Sequence, residues 1–331
     1  MTSEAAKAYS QDDDQSSAVE TESVTRSAVD TTITTEGLHD LDAEVYHRDP
    51  VPDGSISSSA LKIMWARSPA HARAYQLRGR KPKGHLDVGQ AVHTNVLGGP
   101  EIVYWGKGEG TDTWKSGDAQ KFRRQAYAAG TIPLLEDQRV DVEGMVAAIY
   151  AHDELGTWLA PDGFTAEQSG FWVDHSTGLW CRFRLDAAVL DEAQGVLTVV
   201  DLKTGFDVSP LGIAKAIMNN RYDMQKVHYE AGLARLIELG VLPDVEIEYV
   251  LAFVEKEDPY VVTLRRIGQA TAAHAWRHRR EALERFATCR TLGQWPGYDE
   301  PRTDEDEIPY ADVPEWQLRR WANEDDDAEE F

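Results

Sequence analysis

Asp186, Asp201 and Lys203 are spaced so that one sheet face could hold all three. Leu179–Leu190 and Val196–Lys203 alternate like strands around a turn at Asp191–Gly195. In a hairpin centred on Ala193 and Gln194, antiparallel partners sum to about 387. Asp186 and Asp201 satisfy that sum and come side by side, with Lys203 two residues further on the same face. Two carboxylates suit a hard divalent cation, Mg2+ or Mn2+, and the Leu202 carbonyl is a further oxygen ligand. Such a cation polarises a phosphoryl oxygen and acidifies water. Lys203 can orient that water or stabilise developing negative charge. The tripeptide alone is weak evidence. With 57 acids in 331 residues, chance gives about two acid-x-Lys triplets, and the chain has one. Placement adds weight, because Asp201 follows the apolar run Val196–Val200 and charges beside a core need a partner or a metal.

Two helices offer further groups. Leu86–Leu97 carries a stripe of Leu86, Gly89, Val92, His93 and Val96, which turns His93 towards the core side. A lone helix histidine is more often packed than ligating, so its candidacy as a metal ligand rests on the carboxylates. Tyr222, Gln225 and Tyr229 share one face of a helix over Tyr222–Leu239. They read either as a packing stripe or as a polar rail that hydrogen-bonds phosphate.

The elements that position these groups run from helices to strands. Ser57–Ser59 caps a helix through Leu61, Ile63 and Met64, and Ser68-Pro69 starts another. A further helix is expected over Val142–Leu159. Strands are expected at Ser169–Asp174, Glu246–Val254 and Tyr260–Arg266, with a long helix over Ala270–Thr291. The strands read as mostly antiparallel. The fold class is therefore α/β (α+β), a mixed central sheet flanked by helices.

A net charge of -23 argues against nucleic acid in bulk, yet its distribution does not. Residues 1–60 hold 13 acids against 3 bases, and residues 297–331 hold 14 against 3. Residues 61–124 instead hold 12 bases against 5 acids. Residues 1–40 are expected to be disordered, for want of large apolar groups, and 1–50 form an acidic segment. The tail 299–331 is acidic too, with room for a short docking turn at Trp316, Leu318 and Trp321. The folded domain is expected over 51–298. No apolar run is long enough for a membrane span. The N-terminus does not read as a signal peptide. Cys181 and Cys289 are too few for an iron–sulfur cluster, and a reducing, cytoplasmic setting is expected.

Taken in order, Gly89-x-x-x-His93, Asp186, Asp201-Leu202-Lys203 and Gln225-x-x-x-Tyr229 resemble the motif series of the PD-(D/E)XK nucleases, in their RecB-like branch. The pattern is most similar to the exonuclease VIII (RecE) type of phage recombination nuclease. The likeness runs from Ser55–Ala60 and Ser68–Ala70 to Gln294–Tyr298, with a restriction-endonuclease-like core. It implies metal binding by His93, Asp186, Asp201 and Leu202, catalysis by Asp186, Asp201 and Lys203, and substrate contacts from Gln225, Tyr229 and Tyr222. Glu167 matches an acid that such families often place before the metal aspartate. Asp201 departs from the commoner Glu at the third acid. The resemblance further implies a Mg2+-dependent exonuclease, with Mn2+ as substitute, degrading double-stranded DNA ends 5′ to 3′. A RecT-like single-strand annealing partner and a homo-oligomeric ring are expected with it. The alternatives are a structure-selective endonuclease or repair nuclease of the same fold, and a DNA-binding accessory protein without turnover.

Overall fold

The computed structural model describes residues 31–78, 84–299, 308 and 310–329. In chain order, β1 (Gly37–His39) and α1 (Ala43–Arg48) precede β2 (Ile56–Ser57), α2 (Ser58–Ala66), α3 (Pro69–Arg78) and α4 (Asp87–Leu97). A small parallel pair follows, β3 (Ile102–Trp105) and β4 (Ile132–Leu135), bridged by α5 (Gly117–Ala128). Next come α6 (Arg139–Ala151), α7 (Asp153–Trp158) and five strands. These are β5 (Thr165–Ala166), β6 (Ser169–Val173), β7 (Trp180–Arg184), β8 (Ala187–Asp191) and β9 (Val196–Gly205). The chain continues through α8 (Pro210–Asn220), α9 (Tyr222–Glu238), β10 (Glu246–Glu255), β11 (Val262–Arg265), α10 (Gln269–Leu292) and α11 (Glu315–Glu329).

Two sheets carry the domain, ordered β1-β6-β7-β2 and β11-β10-β9-β8-β5. The strand expected over Leu179–Leu190 is in fact two. β7 belongs to the first sheet and β8 to the second, and the chain crosses between them at Leu185 and Asp186. β5 and β6 cross at the same level, at Glu167 and Gln168. The Leu185 amide donates to the Gln168 carbonyl at 2.9 Å, so pairing continues across the bend. Glu167 takes φ 52° there, a left-handed conformation that kinks the strand. Beyond the bend Ala187 faces Val200, the register expected for the hairpin.

β9 is the central strand, and its residues are sorted by the pleat. Leu197 and Val199 enter the core shared with α2, α9 and α10. Val200 and Leu202 enter the core shared with α4 and α6. Both faces are covered, which explains the apolar run. The run of strands is less antiparallel than expected: β10 lies parallel to β9, Leu251 opposite Asp201, because α8 and α9 form the crossover between them. The single helix expected over Val142–Leu159 breaks at His152, whose ψ of 126° is extended and whose Nδ1 accepts from the Leu155 amide to cap α7.

α9 sits close on the first sheet because Gly232 has no side chain. A Cβ there would lie 2.7 Å from the Phe183 ring and 2.8 Å from Trp172. Ser57, Ser116 and Ser209 cap α2, α5 and α8 through their hydroxyls.

The expected disorder over residues 1–40, and the domain start at 51, need correcting for residues 31–50; residues 1–30 lie outside the described residues. Ile33 and Tyr46 are buried with Phe171 in a small core. Two of the acids of this stretch are matched by arginines of the domain. Glu36 pairs with Arg235 at 3.0 Å and Asp49 with Arg182 at 2.5 Å. The docking turn in the C-terminal tail is instead part of the helix α11, on which Trp316, Leu318 and Trp321 remain exposed. Among the described residues no helix is long and apolar enough to cross a membrane. Cys181 and Cys289 are buried free thiols.

Candidate active site

The bend between the sheets brings carboxylates together. The Glu167 amide donates to the Asp186 carbonyl at 3.0 Å, and both side chains leave the strands at the kink. From the other side α4 approaches the end of β9, where Gly89 leaves room; a Cβ on it would lie 3.0 Å from Thr204 Oγ1. That approach carries His93 in. Its Nε2 donates to the Leu202 carbonyl at 3.1 Å, which leaves Nδ1 as the lone-pair nitrogen of the neutral ring. Nδ1 lies 3.8 Å from Asp186 Oδ2, and that oxygen accepts from the Leu202 amide at 2.8 Å. One peptide, Leu202, thus orients both side chains.

Ligand atoms from His93, Glu167 and Asp186 lie within 4.8 Å of one another. An imidazole nitrogen with two carboxylates suits Mg2+ or, better, Mn2+, which tolerates nitrogen ligands. Arg184 supports the group: it donates through Nε to Glu167 and through Nη1 to Ser169 Oγ and the Leu41 carbonyl, both at 2.8 Å.

Asp201 stands beside this group and is buried. Its Oδ1 accepts from Lys203 Nζ at 2.5 Å. Gln225 Nε2 donates to both of its oxygens, at 3.2 and 3.3 Å. Gln225 in turn accepts through Oε1 from Lys62 Nζ at 3.0 Å. An ammonium only donates, so Lys62 fixes which way the amide faces. Lys203 and Lys62 flank the same Tyr222 ring, at 5.0 and 5.4 Å from its centroid.

The two aspartates differ in charge. Burial, then the neighbouring Asp201, raises the Asp186 carboxyl well above the ordinary range. Burial also acts against ionisation of Asp201, but Lys203 outweighs it and keeps the pKa low. Lys203 stays protonated because Asp201 and Asp186 more than offset its burial. Without a cation, a proton in this pair therefore favours Asp186 over Asp201, and Lys203 keeps its charge against burial.

The structure gathers His93, Asp186, Asp201, Leu202, Lys203, Gln225 and Tyr222 at one place, and Glu167 joins them in the ligand group. Tyr229 is placed differently from the substrate contact expected of it. It is buried, with its ring 5.5 Å from Phe183 and 6.1 Å from Tyr249, and packs α9 against the strands. The i, i+4 spacing put it on the face of Gln225, but that face tilts into the core one turn later. Lys62 and Arg184 were missed as site residues. Lys62 gave no signal beyond its membership of a basic stretch. Arg184 shares its strand face with Asp186 in the alternation, and that was the available hint.

A bent mixed sheet with acids at the bend, an acid-x-Lys strand end and a helix glutamine opposite it define a PD-(D/E)XK-like fold. The chain belongs to the family described as PDDEXK-like domain of unknown function (DUF3799), which matches residues 57–302. Among solved structures it is similar to a protein from Eubacterium rectale provisionally described as an exonuclease. The TM-score is 0.52 at 13% identity, over 85% of this chain and 98% of that one, and the likeness is one of fold. No curated protein matches the chain.

Proposed function

We propose that this protein is a divalent-metal-dependent nuclease that cleaves DNA phosphodiester bonds. The observation that carries the reading is the donor group of His93, Glu167 and Asp186 within 4.8 Å, set beside the Lys203–Asp201 pair. A bound Mg2+ or Mn2+ would supply Lewis-acid polarisation of a phosphoryl oxygen and of a water. Lys203, held charged by Asp201, stabilises negative charge as it builds on the phosphoryl group and does not act as a base. Gln225 and Lys203 together hold Asp201 in one rotamer. His93, fixed by Leu202, presents one nitrogen.

The finer reading is an exonuclease that resects linear duplex ends 5′ to 3′ for recombination, working as a homo-oligomeric ring in the cytoplasm with a single-strand annealing partner. Its support is the order of motifs from Gly89 to Tyr229 and the fold shared with the Eubacterium rectale protein. The test is end-labelled linear duplex with Mg2+, against the same reaction with EDTA. Progressive loss of the 5′ label with Mg2+ alone is expected, while covalently closed circles stay intact. Nicking of the circle would replace the exonuclease with an endonuclease. Asp201→Asn and Lys203→Ala should each lower the rate by roughly 10²-fold or more, the order seen when a preorganised electrostatic group is lost. Full activity in Asp201→Asn would overturn the site.

A further inference from the structure

Lys62 is a cation of this site with no anion of its own. Its ammonium donates to the neutral Gln225 amide oxygen and faces the Tyr222 ring. Two acids shape its field, and each is engaged by another cation: Asp201 by Lys203 at 2.5 Å and Asp223 by Arg221 at 3.0 Å. Among the described residues, no carboxylate forms an ion pair with Lys62. Burial first, then repulsion by Lys203, push its pKa down to about 7. A desolvated ammonium without a counter-charge is costly and gives up its proton easily, and an anion from a ligand would hold the charge in place. Orienting Gln225 does not require a charge, since a neutral donor would serve. The missing counter-charge is the unexplained part.

Its location says which anion. Lys62 and Lys203 approach one ring centroid at 5.4 and 5.0 Å, so both can face a short stretch of sugar-phosphate backbone. We propose that Lys62 binds a backbone phosphate next to the one at Lys203, so that the site engages at least two successive phosphates of a strand. This rests on the nuclease reading for the identity of the strand. It implies a polynucleotide substrate, with a lone phosphate monoester bound poorly.

The test is fluorescence anisotropy of a short labelled DNA duplex with the full chain in EDTA, across a salt series. One phosphate contact accounts for about 0.9 in the slope of log affinity against log salt. Lys62→Met should reduce the slope by about that amount and weaken binding several-fold at low salt, and Lys62→Arg should restore the slope. An unchanged slope in a folded Lys62→Met protein would overturn the proposal. If that variant does not fold, reductive methylation of the wild-type chain decides. Lys62 should be protected by the duplex and not by a nucleoside monophosphate, and equal labelling with and without duplex would overturn the proposal. The two readings fail separately. A wild-type protein that binds duplex through Lys62 but never cleaves it removes the nuclease and keeps the contact. Cleavage with an unchanged slope does the reverse.

Discussion

The backbone amide of Glu167 donates to the carbonyl of Asp186 at the level where both of their strands pass from one sheet to the other. The bend that ends one sheet therefore creates the carboxylate pair. Both acids sit in two-residue bends between strands, and backbone pairing across the bends holds them together.

The first prediction concerns pH. A carboxyl with a folded pKa above its unfolded value supports the fold at low pH, and this support is lost as pH rises through the folded pKa. Asp186 is such a group, raised by burial and by Asp201. In EDTA, the melting temperature should fall as pH climbs above the ordinary carboxylate range, and Asp186→Asn should flatten that fall. Mn2+ must displace the proton, so its affinity should rise with pH. Calorimetry in buffers of different ionisation enthalpy should show proton release, and no dependence on buffer would exclude this account.

Arg184 is expected to matter as much as some ligands. It fixes Glu167 while also holding Ser169 and Leu41. Arg184→Lys keeps the charge and loses the fork. Mn2+ affinity should drop roughly 10–100-fold, as for other residues that orient a metal ligand. Circular dichroism should remain that of the wild type. Undiminished affinity would place Glu167 outside the ligand set.

Gln225→Glu tests the amide that faces Asp201. A carboxylate at 3.2 Å from Asp201 Oδ1 raises the proton affinity of Asp201 by repulsion. If ionised Asp201 is required, the acid limb of the rate profile should move to higher pH. A profile in the wild-type position would mean that the amide charge is irrelevant.

A structural prediction concerns Gly232. A methyl group there meets Phe183 and Trp172 at under 3 Å, with ring atoms on both sides. Gly232→Ala should destabilise the fold by about 1–3 kcal/mol through overpacking, despite the better helix propensity of alanine. Denaturant titration measures it. A stabilised variant would show that α9 can shift without cost.

Much of this arrangement was legible in the residues. Alternation along Val196–Lys203 assigned both faces of β9, and the turn at Asp191–Gly195 gave the register in which Ala187 faces Val200, one residue short of Asp186 and Asp201. Local pattern carries that information because the pleat has period two and the turn is short. The change of sheet at Asp186 was not legible, since Leu179–Leu190 reads as one alternating strand and only its partners differ. For the same reason Glu167, whose left-handed kink depends on the neighbouring strand, came into view only through the resemblance. Lys62 lies 163 residues from Gln225 in sequence, and no periodicity reports on a contact of that range. Residues 31–50 misled because composition counts charges without their partners.

Those residues have a practical consequence. A fragment cut at residue 57, where the family match begins, would lose Glu36 and Asp49 together with the Leu41 carbonyl. Arg182 would lose its carboxylate, Arg235 one of its two, Glu238 remaining, and Arg184 a hydrogen-bond acceptor. Such a fragment would leave positive charge underneutralised where the full chain pairs it. Its retention of DNA on a gel would then owe part of its strength to the scissors.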